Sequence, residues 1–198
     1  VRVERVGICG SDLHAYLGHD ERRPAPLILG HEPAGVVAAG PDEGKRVAVN
    51  PLVTCGACQA CLSGRQNLCN EREILSMPPR EGAFAEYLCV PEANLFPIPS
   101  SLGFSQAALA EPMAVSFHAV RLGLARTDSN RSTGTALVIG GGAIGLGAAL
   151  VLRERGMSRV VVVEANPLRR EVLSAERGIE VHPPADAAIP GTGACDLV

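Results

Sequence analysis

Hydrophobic and polar residues alternate through the first half of the chain and gather into runs in the second. Val1-Arg2-Val3-Glu4-Arg5-Val6 alternates from the first residue and predicts a half-buried strand. Ala34-Gly35-Val36-Val37-Ala38 and Arg46-Val47-Ala48-Val49 predict two more. Alternation over residues 84–90 predicts another, which would turn Cys89 inward as a small buried hydrophobe. Residues 50–79 are polar and cysteine-rich, too long for an ordinary loop unless something organises them. After Pro99 the period changes. Ser105 can cap a short helix through Ala110, and Pro112 can open a longer one towards Leu124. A polar connector over 124–134 leads into strand–helix–strand alternation, with strands starting at Thr135, Arg159, Ile179 and Ala194. Cys195 falls in the last of these and reads as structural. The pattern predicts an all-β unit followed by an α/β unit, divided near Glu111.

Residues 132–152 carry no charge over 21 positions, enough to span a bilayer. Six glycines between Gly134 and Gly147 argue for a buried strand, a glycine turn and a helix instead. So does the run Val160-Val161-Val162-Val163, which follows closely and ends on Glu164.

The length of 198 residues allows one large domain or two small ones, and 46% apolar with 20% charged residues is a globular composition. A net charge of −3 with both signs spread along the chain excludes the basic footprint of a nucleic-acid or polybasic membrane partner. The absence of tryptophan and 3% aromatics exclude a base-stacking platform. The chain opens without methionine or a charged-then-apolar leader, and a fresh apolar run starts at its last residues. The expectation is a cytoplasmic chain cut at both ends, whose open sheet edges would make it fold poorly alone.

The strongest chemical signal is Cys55-x-x-Cys58-x-x-Cys61 followed by Cys69, four thiols within fifteen residues. That set can close a tetrahedron around a structural zinc ion. Disulfides are disfavoured by an odd total of seven cysteines, and an iron–sulfur cluster by the long third gap. A dispersed set, Cys9, His31, Glu32 and Glu111, consists of competent ligands for a second, catalytic zinc. Each alone has a bland reading as a core or surface residue. His118, His19 and His182 read as structural or solvated. The third signal is Gly140-x-Gly142-x-x-Gly145, placed after a strand and opening a helix, with Ala143 and Ile144 inside the turn. Its glycines permit a tight turn, backbone approach to a pyrophosphate and close helix packing. Glu164, nineteen residues beyond Gly145, can accept hydrogen bonds from both ribose hydroxyls and would repel a 2′-phosphate, favouring NAD over NADP. Arg169 and Arg170 in the following helix either soften that preference or are simply solvated helix residues.

Taken together the motifs resemble the zinc-dependent medium-chain dehydrogenases, the superfamily of alcohol, polyol and threonine dehydrogenases. The matching pieces are Gly7-Ile8-Cys9-Gly10-Ser11-Asp12-Leu13-His14, Gly30-His31-Glu32-Pro33-Ala34-Gly35, the four-cysteine lobe, Gly82-Ala83-Phe84-Ala85-Glu86-Tyr87, Glu111-Pro112 and the glycine turn. The resemblance implies a GroES-like β-barrel catalytic domain over residues 1–111, with its zinc lobe at 50–79, and a partial Rossmann domain over 112–198. It implies that Cys9 and His31 ligate the catalytic zinc, that Glu32 binds it or lies just behind, and that Ser11 and His14 relay a proton. Asp12 would orient the histidine ligand, while Glu164 and Arg169 would face the adenosine ribose. Glu111 stands where alcohol dehydrogenases carry cysteine and polyol and threonine dehydrogenases carry glutamate. The implied reaction is hydride transfer from a small secondary alcohol or polyol to NAD, in an enzyme that is a homo-oligomer at full length. Two alternatives stay open: an NADP-dependent aldehyde reductase of the same superfamily, and a non-catalytic zinc- and nucleotide-binding module.

Overall fold

The computed structural model describes residues 1–127, 134–186 and 188–198, which form two compact units, 1–111 and 112–198. Most of the polar connector expected over 124–134, and the first two residues of the uncharged stretch, lie outside the described residues.

In the first unit, β1 (Arg2–Gly7), β2 (Glu32–Val36), β3 (Arg46–Val49) and a later strand at Leu95–Pro97 form an antiparallel sheet in that order. The alternation of the first segment breaks after Val3. A bulge between Val3 and Arg5 absorbs the break, so that Val1, Val3 and Val6 all reach the core of Val49, Leu75, Ala83 and Leu88. The Cys9-led segment follows as helix α1 (Gly10–Tyr16). The cysteine-rich stretch contains a small ladder, β4 (Leu52–Val53) with β5 (Glu73–Ile74), and the short helix α2 (Gln59–Leu62). The Asn94 amide donates to the Asn50 and Leu52 carbonyls at 2.8 and 2.9 Å and ties this stretch to the sheet.

Residues 84–90 do not form the expected strand. The Gly82, Ala83 and Phe84 N–H groups donate to carbonyls at residues 28–30, and the segment meets β1 at a single bridge, Arg2 with Tyr87. Leu88 occupies the core position and Cys89 is exposed, the reverse of the inward cysteine that alternation suggests. The strand at Leu95–Pro97, β6, was not apparent from the pattern. Helix α3 (Phe104–Ala107) is capped at Gly103 rather than Ser105, and α4 (Ala110–Leu124) begins two residues before Pro112.

The second unit is a parallel sheet of β7 (Thr135–Ile139), β8 (Arg159–Val163) and β9 (Glu180–His182), in that order. Helix α5 (Ala143–Glu154) joins the first two strands and α6 (Pro167–Ser174) the next two. Continuous valines suit β8 because it is central and buried on both faces. The fourth strand expected from Ala194 is reduced to a 3-10 turn and one parallel bridge, Ala136 with Leu197, on the side of β7 away from β8. The resulting order is the first half of a doubly wound sheet, continued past its switch point. Val120 and Leu124 of α4 pack into this unit's core with Ala136, Ala149, Leu152, Val160, Val162 and Leu173. The uncharged stretch is therefore, in its described part, strand, turn and helix; no helix among the described residues is long and apolar enough to cross a membrane.

Candidate metal centres and dinucleotide turn

Strand pairing and one helix cap assemble the first cluster. Glu32 opens β2 opposite Gly7, His31 precedes it, and Cys9 is the N-cap of α1. The ligand atoms of Cys9, His31 and Glu32 all lie within 4.8 Å of one another. Asp12, 2% exposed, is the hub beneath them. Its Oδ2 accepts the Cys9 N–H at 3.1 Å, its Oδ1 accepts the Gly30 N–H at 3.2 Å, and His31 Nδ1 lies 3.3 Å from Oδ1. With Nδ1 turned to Asp12, Nε2 is the nitrogen left to coordinate.

The electrostatics of this cluster fit a cation. Burial holds the His31 imidazole below its ordinary pKa, with Asp12 opposing and Arg23 reinforcing the shift, which favours the neutral ring that a metal ion needs. Burial pushes the Glu32 carboxyl up, helped by Asp12 and partly offset by the Cys9 thiol. Glu111, on the first turn of α4, is pushed up to about 7 by burial and then by the Glu32 and Asp12 carboxylates. Three crowded carboxyls beside a thiol and an imidazole form a donor set that a divalent ion would relieve. Glu111 feels Glu32 electrostatically but stands outside the 4.8 Å cluster.

Ser11 and His14 lie one turn apart on α1. No hydrogen bond joins them among the described residues: His14 is exposed, and the Ser11 hydroxyl accepts from Arg23 Nη1 at 3.1 Å. Arg23, missed in the sequence, is 7% exposed and lies 3.5 Å from Asp12 Oδ1 and 3.7 Å from Asp20 Oδ2. Ser76 was missed as well, its Oγ standing 3.4 Å from His31 Nδ1. Neither residue belongs to a local motif, so no spacing signal could have found them.

The second cluster is the cysteine lobe. Sγ separations are 3.5 Å for Cys58–Cys61, 3.6 Å for Cys69–Cys55 and 3.9 Å for Cys55–Cys61, and all four thiols lie within 4.8 Å. A zinc–sulfur bond of about 2.3 Å sets a tetrahedral edge of about 3.8 Å, so the four thiols fit zinc as they stand. All seven cysteines are free, and the Cys61 and Cys69 side chains are buried. The Cys61 N–H and thiol hold Cys58 below the usual thiol range, while burial pushes Cys61 above it.

The glycine turn joins β7 to α5. Gly140 has φ +94°, and a Cβ on Gly145 would lie 1.8 Å from the Gly140 carbonyl oxygen, so the turn closes only with glycine there. Gly142 is the N-cap, with Ala143 and Ile144 as the first helical residues. Glu164, 5% exposed, accepts the Gly141 N–H at Oε2 and the Asn166 N–H at Oε1, both at 2.7 Å. Arg169 Nη1 stands 3.9 Å from Oε2, while Arg170 instead binds the Glu164 and Ala165 carbonyls. A cavity of about 250 Å³ lies beside the turn, lined by Gly141, Leu146, Asn166, Leu168, Arg169 and Val172.

A β unit of GroES type followed by a Rossmann-type α/β unit is the architecture of the medium-chain dehydrogenases. The comparisons agree: the alcohol dehydrogenase GroES-like domain family matches residues 1–100. The sorbitol dehydrogenase of Bacillus subtilis (strain 168) is 42% identical over 180 residues, covering 86% of this chain and 50% of its own. A solved alcohol dehydrogenase of Escherichia coli CFT073, complexed with NADH, superposes with TM-score 0.84 at 31% identity, covering 94% of this chain and 55% of that one. A zinc-binding dehydrogenase of Sinorhizobium meliloti 1021 bound to NADP gives TM-score 0.83 at 31% identity, covering 96% and 57%. The chain belongs to the zinc-type medium-chain alcohol and polyol dehydrogenase family. It spans about half the length of the curated relatives it matches.

Proposed function

We propose that this chain carries the metal and dinucleotide sites of an NAD-linked dehydrogenase acting on secondary alcohols of polyol or hydroxy-amino-acid type. The observation that carries the reading is the convergence of Cys9, His31 and Glu32 within 4.8 Å over the buried Asp12. Zinc held there would supply Lewis acidity, bringing a substrate hydroxyl's pKa towards neutrality. Asp12 keeps His31 oriented with Nε2 towards the site. In this reading the Ser11 hydroxyl would take up the hydroxyl proton and pass it towards solvent by way of His14, one turn further along α1. Glu111 adds a hard, polar carboxylate suited to vicinal hydroxyls. The four-cysteine lobe is assigned a second, structural zinc, and its free thiols suit a reducing cytoplasmic compartment.

For the cofactor, the buried Glu164 carboxylate at the end of β8 supports NAD, since it would repel a 2′-phosphate beside the Gly141 turn. Arg169, lining the adjacent cavity, is the observation that favours NADP. Zinc content together with cofactor reduction over a panel of polyols, threonine and simple secondary alcohols tests the reading. Turnover with a polyol or threonine, lost in Cys9→Ser, is the expected result. Two bound zinc ions without turnover would make the protein a metal- and nucleotide-binding module, and a lower KM for NADP than for NAD would favour the aldehyde reductase.

A further inference from the structure

Ser76 has no accessible surface and a φ of 62°, the single positive-φ residue other than glycine among the described residues. A side chain in the left-handed region is strained, and glycine would adopt that conformation freely. Something must therefore make the hydroxymethyl group useful. Its Oγ stands 3.4 Å from His31 Nδ1 across 45 positions of sequence. The other acceptor facing that nitrogen is Asp12 Oδ1 at 3.3 Å. That oxygen already accepts the Gly30 N–H at 3.2 Å and faces Arg23 Nη1 at 3.5 Å. A carboxylate oxygen offers about two lone-pair sites, and this one is already hydrogen-bonded to Gly30 and paired with a guanidinium whose own N–H is given to Ser11. The imidazole N–H is left short of an acceptor unless a second group supplies one.

We propose that Ser76 is a positioning residue for the metal centre, its hydroxyl sharing the His31 Nδ1–H with Asp12 and so aiming Nε2 at the ligand position. The inference rests on reading Cys9, His31 and Glu32 as a metal site. The strain at Ser76 is retained because its Cβ carries the hydroxyl that holds the histidine. Alanine keeps the strain and loses the hydroxyl, whereas glycine loses both.

The test is cobalt(II) titration of the protein and of its Ser76→Ala and Ser76→Gly variants. Absorption separates the four-sulfur site from the mixed sulfur–nitrogen–oxygen site. The four-sulfur spectrum reports in every variant that the first unit is folded. Both variants should bind cobalt at the mixed site about 10–100-fold more weakly than the parent. Between the two variants the order of stability should reflect the backbone alone, Ser76→Gly melting about 4 °C or more above Ser76→Ala. A merely structural serine would not lower metal affinity equally in a more stable and a less stable variant. Parental affinity in Ser76→Ala would overturn the assignment while leaving the metal centre intact. A parent protein showing the four-sulfur spectrum alone would overturn the metal centre and this inference together.

Discussion

Gly7 stands opposite Glu32 in the β1–β2 ladder, and a methyl group on it would lie 1.9 Å from Glu32 Oε2. The site thus depends on an absence of side chain: the space that a Cβ would fill is occupied by a buried carboxylate. Gly7→Ala should expel Glu32 from the cluster without touching the cysteine lobe. Zinc measured after dialysis should fall by one ion per chain, with affinity at the Cys9 site reduced at least about tenfold. Retention of the full complement would show that Glu32 is dispensable for the metal.

The cysteine lobe should behave in the opposite way. Its four thiols already stand near tetrahedral spacing, and the β4–β5 ladder and α2 are too short to hold 50–79 by themselves. Cys58→Ser should remove the second zinc ion, lower Tm and make the lobe the first segment cut by protease. An unchanged Tm and zinc content would sink the structural-zinc assignment.

Arg23 is a buried guanidinium between Asp12 and Asp20 whose Nε has no hydrogen-bond partner. Arg23→Met leaves Asp12 buried without its counter-charge and should cost roughly 3–5 kcal/mol in denaturant unfolding. Adding Asp12→Asn should then cost less than it does alone, because the pair is already broken. Strict additivity of the two substitutions would show that they do not act as a pair.

What the sequence disclosed follows from where each constraint lies along the chain. β3, β7 and β8 start where the hydrophobic runs predict, since burial on one or both faces writes directly into residue type. The four thiols and the glycine turn are local, so their spacing alone marks them. Residues 84–90 mislead because they meet β1 at one bridge, flanked by bonds from Val3 N–H to Glu86 and from Leu88 N–H to Val1, while Phe84 and the two residues before it donate to a loop at 28–30, a pairing that alternation does not encode. Arg23 and Ser76 are invisible for the same reason. Each acts on the site across a fold-dependent contact, 12 positions from Ser11 in one case and 45 from His31 in the other.

Glu164 couples the glycine turn to acidity. The Asn166 and Gly141 N–H groups hold its carboxyl below its ordinary value of 4.5, outweighing the opposing effect of burial, and Arg169 adds to the lowering. A carboxyl whose folded pKa is depressed stabilises the native state above its unfolded pKa and loses that contribution as pH falls through the folded one. The parent should therefore exceed Glu164→Gln in Tm at neutral pH, where the amide presents an N–H donor to one of two backbone donors. That gap should hold down to about pH 4.5 and close progressively below it. Melting curves across this range check the sign, and a gap that stays constant into strong acid would refute the assignment. The same variant, stripped of the charge facing a 2′-phosphate, should show a lower KM for NADP relative to NAD than the parent. A coincident loss of acid sensitivity and of cofactor discrimination would identify one carboxylate as the source of both.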